Sequence, residues 1–279
     1  MSAALGITGS TGRLGGRVAR LLAADGVPQR LVVRDPSRAP KLAQTSVAQA
    51  SYADAPAVRR ALDRCHTALM VSGSESATRL EEHKTFVDAA AAAGARHLVY
   101  ISFYGAAPDA TFTLARQHYA TEEHIKASGM TWTILRDNLY LDFVAHFADN
   151  TGVIRGPAGD GRTAAVAHDD IAAAAVAVLR DPADHLGKTY SLTGPEAITI
   201  AEAAAVASEH LGKPFSYHAE TVDEAYRSRA SYGAPDWEVD SWVSTYTAIA
   251  AGELAGVTDD VRLLTGRPPL SLDDLLRQR

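Results

Sequence analysis

Gly9, Gly12 and Gly15 stand three residues apart at the exit of the apolar run Ala4-Leu5-Gly6-Ile7, and this spacing could hold a nucleotide phosphate. In Gly9-Ser10-Thr11-Gly12-Arg13-Leu14-Gly15-Gly16 the glycines allow a sharp turn, let backbone N–H groups approach a pyrophosphate, and let the following helix pack close to its strand. The helix start then turns its partial positive charge on the phosphates. Leu14, Val18, Leu21 and Leu22 recur at helical spacing, so the glycines fall between a strand and a helix, the context such a cradle needs. Gly9, Ser10, Thr11, Gly12, Arg13, Leu14 and Gly15 are the candidate contacts from this turn.

The end of the second strand decides which dinucleotide. A site for NAD usually places an acidic residue there, about 20 residues after the glycine turn. This chain places Arg34, then Asp35-Pro36-Ser37-Arg38. With Arg13, Arg34 and Arg38 offer guanidinium groups where an adenosine 2′-phosphate would sit, so NADP(H) is preferred. Asp35 could take the ribose hydroxyls instead, which leaves NAD(H) open.

These residues need a scaffold, and the first half of the chain predicts an α/β fold with a doubly wound parallel sheet, the Rossmann arrangement. Short apolar runs alternate with alanine-rich amphipathic segments. Strands are predicted at Ala4–Thr8, Arg30–Arg34, Ser46–Ala50, Ala68–Val71, His97–Ser102 and Thr131–Arg136, and helices at Leu14–Ala24, Ala55–Arg64, Ser76–Ala93 and Phe112–Ser128. Gly26, Gly94 and Gly129 stand at helix-ending positions. Residues 1–140 are expected to form the dinucleotide-binding domain. Residues 141–279, with glycine-rich turns and an Asp170-led alanine helix to Arg180, are expected to form a smaller substrate-side lobe interleaved with it. Trp237, Val239, Trp242 and Val243 make a helically spaced apolar stripe in that lobe, read as packing or as a pocket wall.

Composition removes several classes. Hydrophobic residues make up 47% and charged residues 22%, and no apolar run approaches the roughly 18 residues of a membrane span. The chain enters its first strand without a basic or apolar leader, so a cytoplasmic location and no membrane partner are expected. A net charge of -6 with scattered Lys and Arg disfavours nucleic acid. Cys65, the single cysteine, excludes an intrachain disulfide and reads as a buried core residue. His83, His118 and His124 lack the i, i+4 spacing of a zinc pair, His168-Asp169-Asp170 reads as a helix start, and no Gly-x-Ser-x-Gly elbow occurs, so neither a metal nor serine hydrolysis is expected.

The Gly-x-x-Gly-x-x-Gly spacing resembles the atypical short-chain dehydrogenase/reductases. Val33-Arg34-Asp35-Pro36, Phe86-Val87-Asp88-Ala89-Ala90, Gly94-Ala95-Arg96-His97-Leu98-Val99-Tyr100 and Thr131-Trp132-Thr133-Ile134-Leu135-Arg136 are similar to the NmrA-like family. So are Gly159-Asp160-Gly161-Arg162, Gly187-Lys188-Thr189-Tyr190-Ser191-Leu192 and Leu264-Thr265-Gly266-Arg267-Pro268-Pro269, with the strongest likeness to the branch of type 2 NAD(P)H:quinone oxidoreductases and triphenylmethane reductases. The resemblance implies that Val71, Ser72 and Gly73 line the cofactor from adenine ribose to nicotinamide and that Ser102 sits near the nicotinamide ribose. That family also contains NADP-binding redox sensors.

Hydride transfer to a carbonyl needs a proton donor, for which short-chain dehydrogenases use Tyr-x-x-x-Lys. No such motif occurs here; Leu114 and His118 take its two slots. His118 is a candidate by virtue of its near-neutral titration, or it pairs with Glu122 one turn on. Tyr104, after the fifth strand, and Asn138, after the sixth, are the other candidate donors, while Tyr140 reads equally as core or contact. Without a tuned acid, a quinone-like or aromatic acceptor is favoured, held between the carboxyl edge of the sheet and the C-terminal lobe. The expectation is an NAD(P)H-dependent quinone reductase, with a redox sensor or a tailoring reductase or cyclase of an aromatic natural product as alternatives. A homo-oligomer is allowed.

Overall fold

A computed structural model describes residues 5–278. The predicted strands form as β1 (Leu5–Thr8), β2 (Gln29–Val33), β3 (Thr45–Gln49), β4 (Thr67–Val71), β5 (His97–Phe103) and β6 (Thr131–Asp137). Ala4, the expected start of β1, lies outside the described residues. Between them run α1 (Arg13–Ala24), α2 (Ala55–Ala61), α3 (Arg79–Ala92) and α4 (Thr113–Ala127). Three helices are shorter than expected, α4 by one residue at each end. The α2 helix ends before Arg64, which adopts a left-handed φ of 63°, and α3 begins only after a turn in which Arg79 N–H donates to Ser76 O.

The remaining elements are α5 (Phe143–Phe147), β7 (Val153–Gly156), β8 (Arg162–Thr163), α6 (His168–Arg180), β9 (Lys188–Leu192), β10 (Ile198–Thr199), α7 (Ile200–Leu211), β11 (Ser216–Ala219), α8 (Val222–Arg229), α9 (Asp236–Ala250), α10 (Asp260–Thr265) and α11 (Leu272–Arg277). Seven strands make the central sheet in the order β3-β2-β1-β4-β5-β6-β9. Pairings β3/β2, β2/β1, β1/β4 and β4/β5 are parallel. The strand β9 was not anticipated: it is half-exposed and polar at the sheet edge, without the apolar run that marks the inner strands.

The chain divides into two compact units. The first takes the described residues through Ser102, then His118–Arg136 and Ile171–Tyr190; the second takes Phe103–Gln117, Asp137–Asp170 and Ser191 onward. Core residues of the first include Leu62, Met70, Phe86, Leu98, Tyr100 and Ile125. Cys65 is buried there too. In α1, Leu14, Val18 and Leu22 are buried as expected, whereas Leu21 is 42% exposed and belongs to the other face. The second unit centres on Phe103, Phe112, Leu141, Phe143, Tyr246 and Ile249. Of the expected apolar stripe, Val243 is buried, and Trp242 meets Tyr232 edge-on at 5.9 Å.

Candidate functional site

Strand order reverses between β1 and β4, and in open α/β sheets such a switch point, at the carboxyl ends of the strands, is where ligands bind. The turn that leaves β1 is built by contact. Gly9 has a φ of 66°, and a Cβ there would lie 2.9 Å from the Val71 side chain. At Gly15 a Cβ would come within 2.5 Å of the Gly9 carbonyl. Gly12 N–H donates to Gly9 O at 2.9 Å and closes the turn. Tyr52, which sequence reading passed over, ties the two strand ends together: its hydroxyl lies 2.6 Å from Thr8 Oγ1 and donates to Val71 O at 2.6 Å.

The cradle suits an anion. Helix α1 starts at Gly12, which has no side chain to cap the first-turn N–H groups, and no acidic residue stands in that turn. Ser10 Oγ is buried without a hydrogen-bond partner, while Thr11, Gly12 and Arg13 are exposed. A dinucleotide pyrophosphate fits this donor set. Beyond β2, Arg34 and Arg38 are exposed. Asp35 is committed elsewhere: its Oδ1 accepts from Ser37 N–H at 3.0 Å and from Ser37 Oγ at 2.7 Å, bonds that hold its carboxyl below the usual range.

His118 is not the near-neutral imidazole that its sequence position suggested. It is buried, and Arg79 Nη2 stands 2.8 Å from its Nε2 while the Tyr100 hydroxyl stands 2.9 Å from Nδ1. A guanidinium can only donate, so Nε2 carries no proton and Nδ1–H points to Tyr100. Desolvation, then the Arg79 charge, hold its pKa well below the ordinary value. His83 obeys the same logic. Gly73 N–H donates to its Nε2 at 2.8 Å, leaving Nδ1–H to face Thr121 Oγ1 at 3.1 Å, and burial with the Arg79 charge lowers its pKa to about 3. Nor does Glu122 pair with His118. Buried Glu122 takes a bidentate bond from Arg136, at 2.8 and 2.6 Å, and a bond from Ser102 Oγ at 2.6 Å.

The other candidates separate by their engagements. Asn138 is buried and structural in geometry: Nδ2 donates to Leu254 O at 3.0 Å, and Oδ1 accepts from Leu139 N–H at 2.8 Å and Thr163 Oγ1 at 3.3 Å. Tyr104, half-buried after β5, rests its hydroxyl against Gly256, where any Cβ would overlap it. Tyr140 is 37% exposed and stacks on His168 with ring centroids 4.1 Å apart. Leu114 packs in the core of the second unit. Val71, Ser72 and Gly73 are half-buried at the switch point. Among the described residues no three His, Cys, Asp or Glu side chains gather as a metal group, and no helix is long and apolar enough to cross a membrane.

Residues 9–182 match a family model described as NAD(P)H-binding. The chain belongs to the NAD(P)H-binding family. With relatives at about 30% identity over nearly its full length that are NAD(P)H-dependent reductases, it is an NAD(P)H-dependent oxidoreductase. It is similar to quinone oxidoreductase 2 of Escherichia coli (strain K12), 33% identical over 275 residues and 96% of each chain. It is also similar to an NAD(P)H azoreductase of Xenophilus azovorans, 30% identical over 94% of this chain and 93% of that one. Among solved structures, the NADPH complex of the Escherichia coli NADPH-dependent quinone oxidoreductase superposes with a TM-score of 0.89 at 32% identity, covering 98% of this chain and 99% of that one. The NAD(P)H-binding assignment accounts for the glycine turn and for the first-turn N–H groups that have no side-chain cap.

Proposed function

We propose that this NAD(P)H-dependent oxidoreductase prefers NADP(H) and reduces a quinone or a related conjugated, aromatic small molecule. The observation that carries the acceptor class is the state of His118. Where a ketone reductase needs a phenol tuned by a cation, α4 supplies Leu114 and a neutral imidazole engaged on both nitrogens. A ketone reduced without a positioned acid leaves a costly alkoxide, whereas a quinone gains an aromatic ring and accepts its proton from a weak donor or water. The quinone oxidoreductase and azoreductase relatives, both named for conjugated acceptors, support the same reading.

The bound nicotinamide supplies a hydride, which with one proton converts a quinone to a hydroquinone. The chain's part is to bind and orient. Gly9, Ser10, Thr11, Gly12, Arg13, Leu14 and Gly15 would hold the pyrophosphate, and Arg34 with Arg38 the 2′-phosphate. Val71, Ser72, Gly73 and Ser102 would follow the ribose and nicotinamide. Tyr104 is assigned as the hydroxyl donor to the acceptor oxygen, because it follows β5 directly; Asn138 is assigned to holding its loop.

NADPH consumption by the purified protein against para- and ortho-quinones, followed by loss of reduced-nicotinamide absorbance, tests the reading. Saturable turnover is expected, and Tyr104→Phe should lower kcat by about tenfold with NADPH affinity unchanged. Tight NADPH binding with no quinone turned over would overturn the acceptor assignment.

A further inference from the structure

The segment after β4 is clamped at one glycine by two side chains of α3. Gly73 N–H donates to His83 Nε2 at 2.8 Å, and Arg79 Nε donates to Gly73 O at 3.0 Å. Both ends of that peptide pair lead inward. From Arg79 the path runs to His118 Nε2 and on to the Tyr100 hydroxyl; from His83 it runs to Thr121 Oγ1 on α4. His83 and Tyr100 also meet edge-on at 6.0 Å, and Tyr100 and His118 tilt against each other at 5.8 Å. Arg79, His83, Tyr100, His118 and Thr121 are all buried. A buried guanidinium and two buried imidazoles are expensive to assemble unless bonded, and here Arg79 and His83 both bond the backbone of Gly73.

We propose that Arg79, His83 and His118 are positioning residues that fix the backbone of Ser72 and Gly73 for cofactor binding, acting as neutral or one-way hydrogen-bond partners and not as proton donors. The inference rests on the assignment of Val71–Gly73 to the cofactor site. A Cβ at Gly73 would lie 3.3 Å from His83 Nε2, so the imidazole and the glycine backbone are matched in shape as well as in bonding. The donors of the relay run in one direction. Arg79 and the Gly73 amide cannot accept, which forces both histidines into the same Nδ1–H form; a proton added to either Nε2 would face a donor and break the clamp.

Replacement by glutamine and by leucine separates the two roles. Glutamine can put an acceptor oxygen where Nε2 stands but cannot titrate; leucine offers neither. His83→Leu and His118→Leu should weaken NADPH, measured by its fluorescence on binding, by about tenfold or more, and speed amide hydrogen exchange over residues 72–78 in the cofactor-free protein. His83→Gln and His118→Gln should bind NADPH within about threefold of the parent. With saturating cofactor, kcat of the parent should show no pH limb near 6.5. Thr121→Val, which removes the acceptor of His83 Nδ1 with little change of shape, repeats the test where a leucine variant fails to fold. Parent-like NADPH affinity and exchange in the leucine or valine variants would overturn the proposal. Glutamine variants with parent-like affinity but lost turnover would overturn it in favour of proton transfer. The binding and exchange readouts need no quinone, so failure of the acceptor assignment leaves them intact.

Discussion

Arg34 and Asp35 are neighbours of opposite charge, and the one free to meet a ribose decides the cofactor. Asp35 spends its carboxylate on Ser37, which leaves the guanidiniums of Arg34 and Arg38 exposed beside the cradle. Arg34→Ala should therefore weaken NADPH by roughly 1.5 to 3 kcal/mol and barely change NADH, the difference being a charge-assisted bond to a phosphate; equal losses by fluorescence titration would reject the assignment. Asn138 gives a second test, because its amide joins Leu254, Leu139 and Thr163. Asn138→Ala should cost about 2 kcal/mol of stability in urea unfolding, from groups left unbonded, while kcat of the folded fraction holds. A lost kcat at parental stability would restore it as a donor. The glycine turn was legible in the sequence because its geometry is local. The roles of His118, Glu122, Tyr52 and Arg79 were not, since each is defined by a partner at least fourteen residues away.

At the scale of elements, β1, its turn and α1 behave as one part. The Gly15 Cα lies so close to the Gly9 carbonyl that a methyl group must push the helix from the strand. Gly15→Ala should lower Tm and weaken NADPH by more than about tenfold, since both the turn and the first helical N–H groups move. Gly94→Ala is the control. It shares a positive φ of 85° but has open space around it, so it should cost only about 1 kcal/mol in denaturant unfolding and leave NADPH binding alone. The same distinction explains which elements the sequence revealed. Inner strands such as β4 and β5 are apolar runs between helices, and their limits were readable to within a residue. Strand β9, exposed along half its length, and the two-residue β8 and β10 carry no such pattern. Their existence depends on pairing partners that periodicity does not register.

For the whole molecule, the buried histidines set the response to acid. His83 titrates at about 3 and His97 at about 4, both lowered first by burial, and His118 lies well below its ordinary value. In the unfolded chain each takes a proton near 6.5. Between those limits the unfolded state binds more protons than the folded state, so stability rises with pH and is lost as pH falls below about 6.5. Each histidine steepens the loss by up to about 1.4 kcal/mol per pH unit, and three together by about 4, against a total of roughly 5 to 15 kcal/mol for a protein of ordinary stability. Asp170, whose carboxyl is raised by burial, works the other way. Carboxylates held low by hydrogen bonds, such as Asp149 and Asp274, lose their contribution only as pH falls through the carboxylate range. Tm measured from pH 7.5 down to 4.5 should therefore fall steeply below 6.5, before carboxylates titrate. His118→Gln, which keeps the bond to Arg79 but binds no proton in either state, should flatten that slope by about one proton's worth. A Tm that held level between pH 6.5 and 4.5 would mean that the imidazoles charge in place, and would remove the basis for treating them as fixed acceptors.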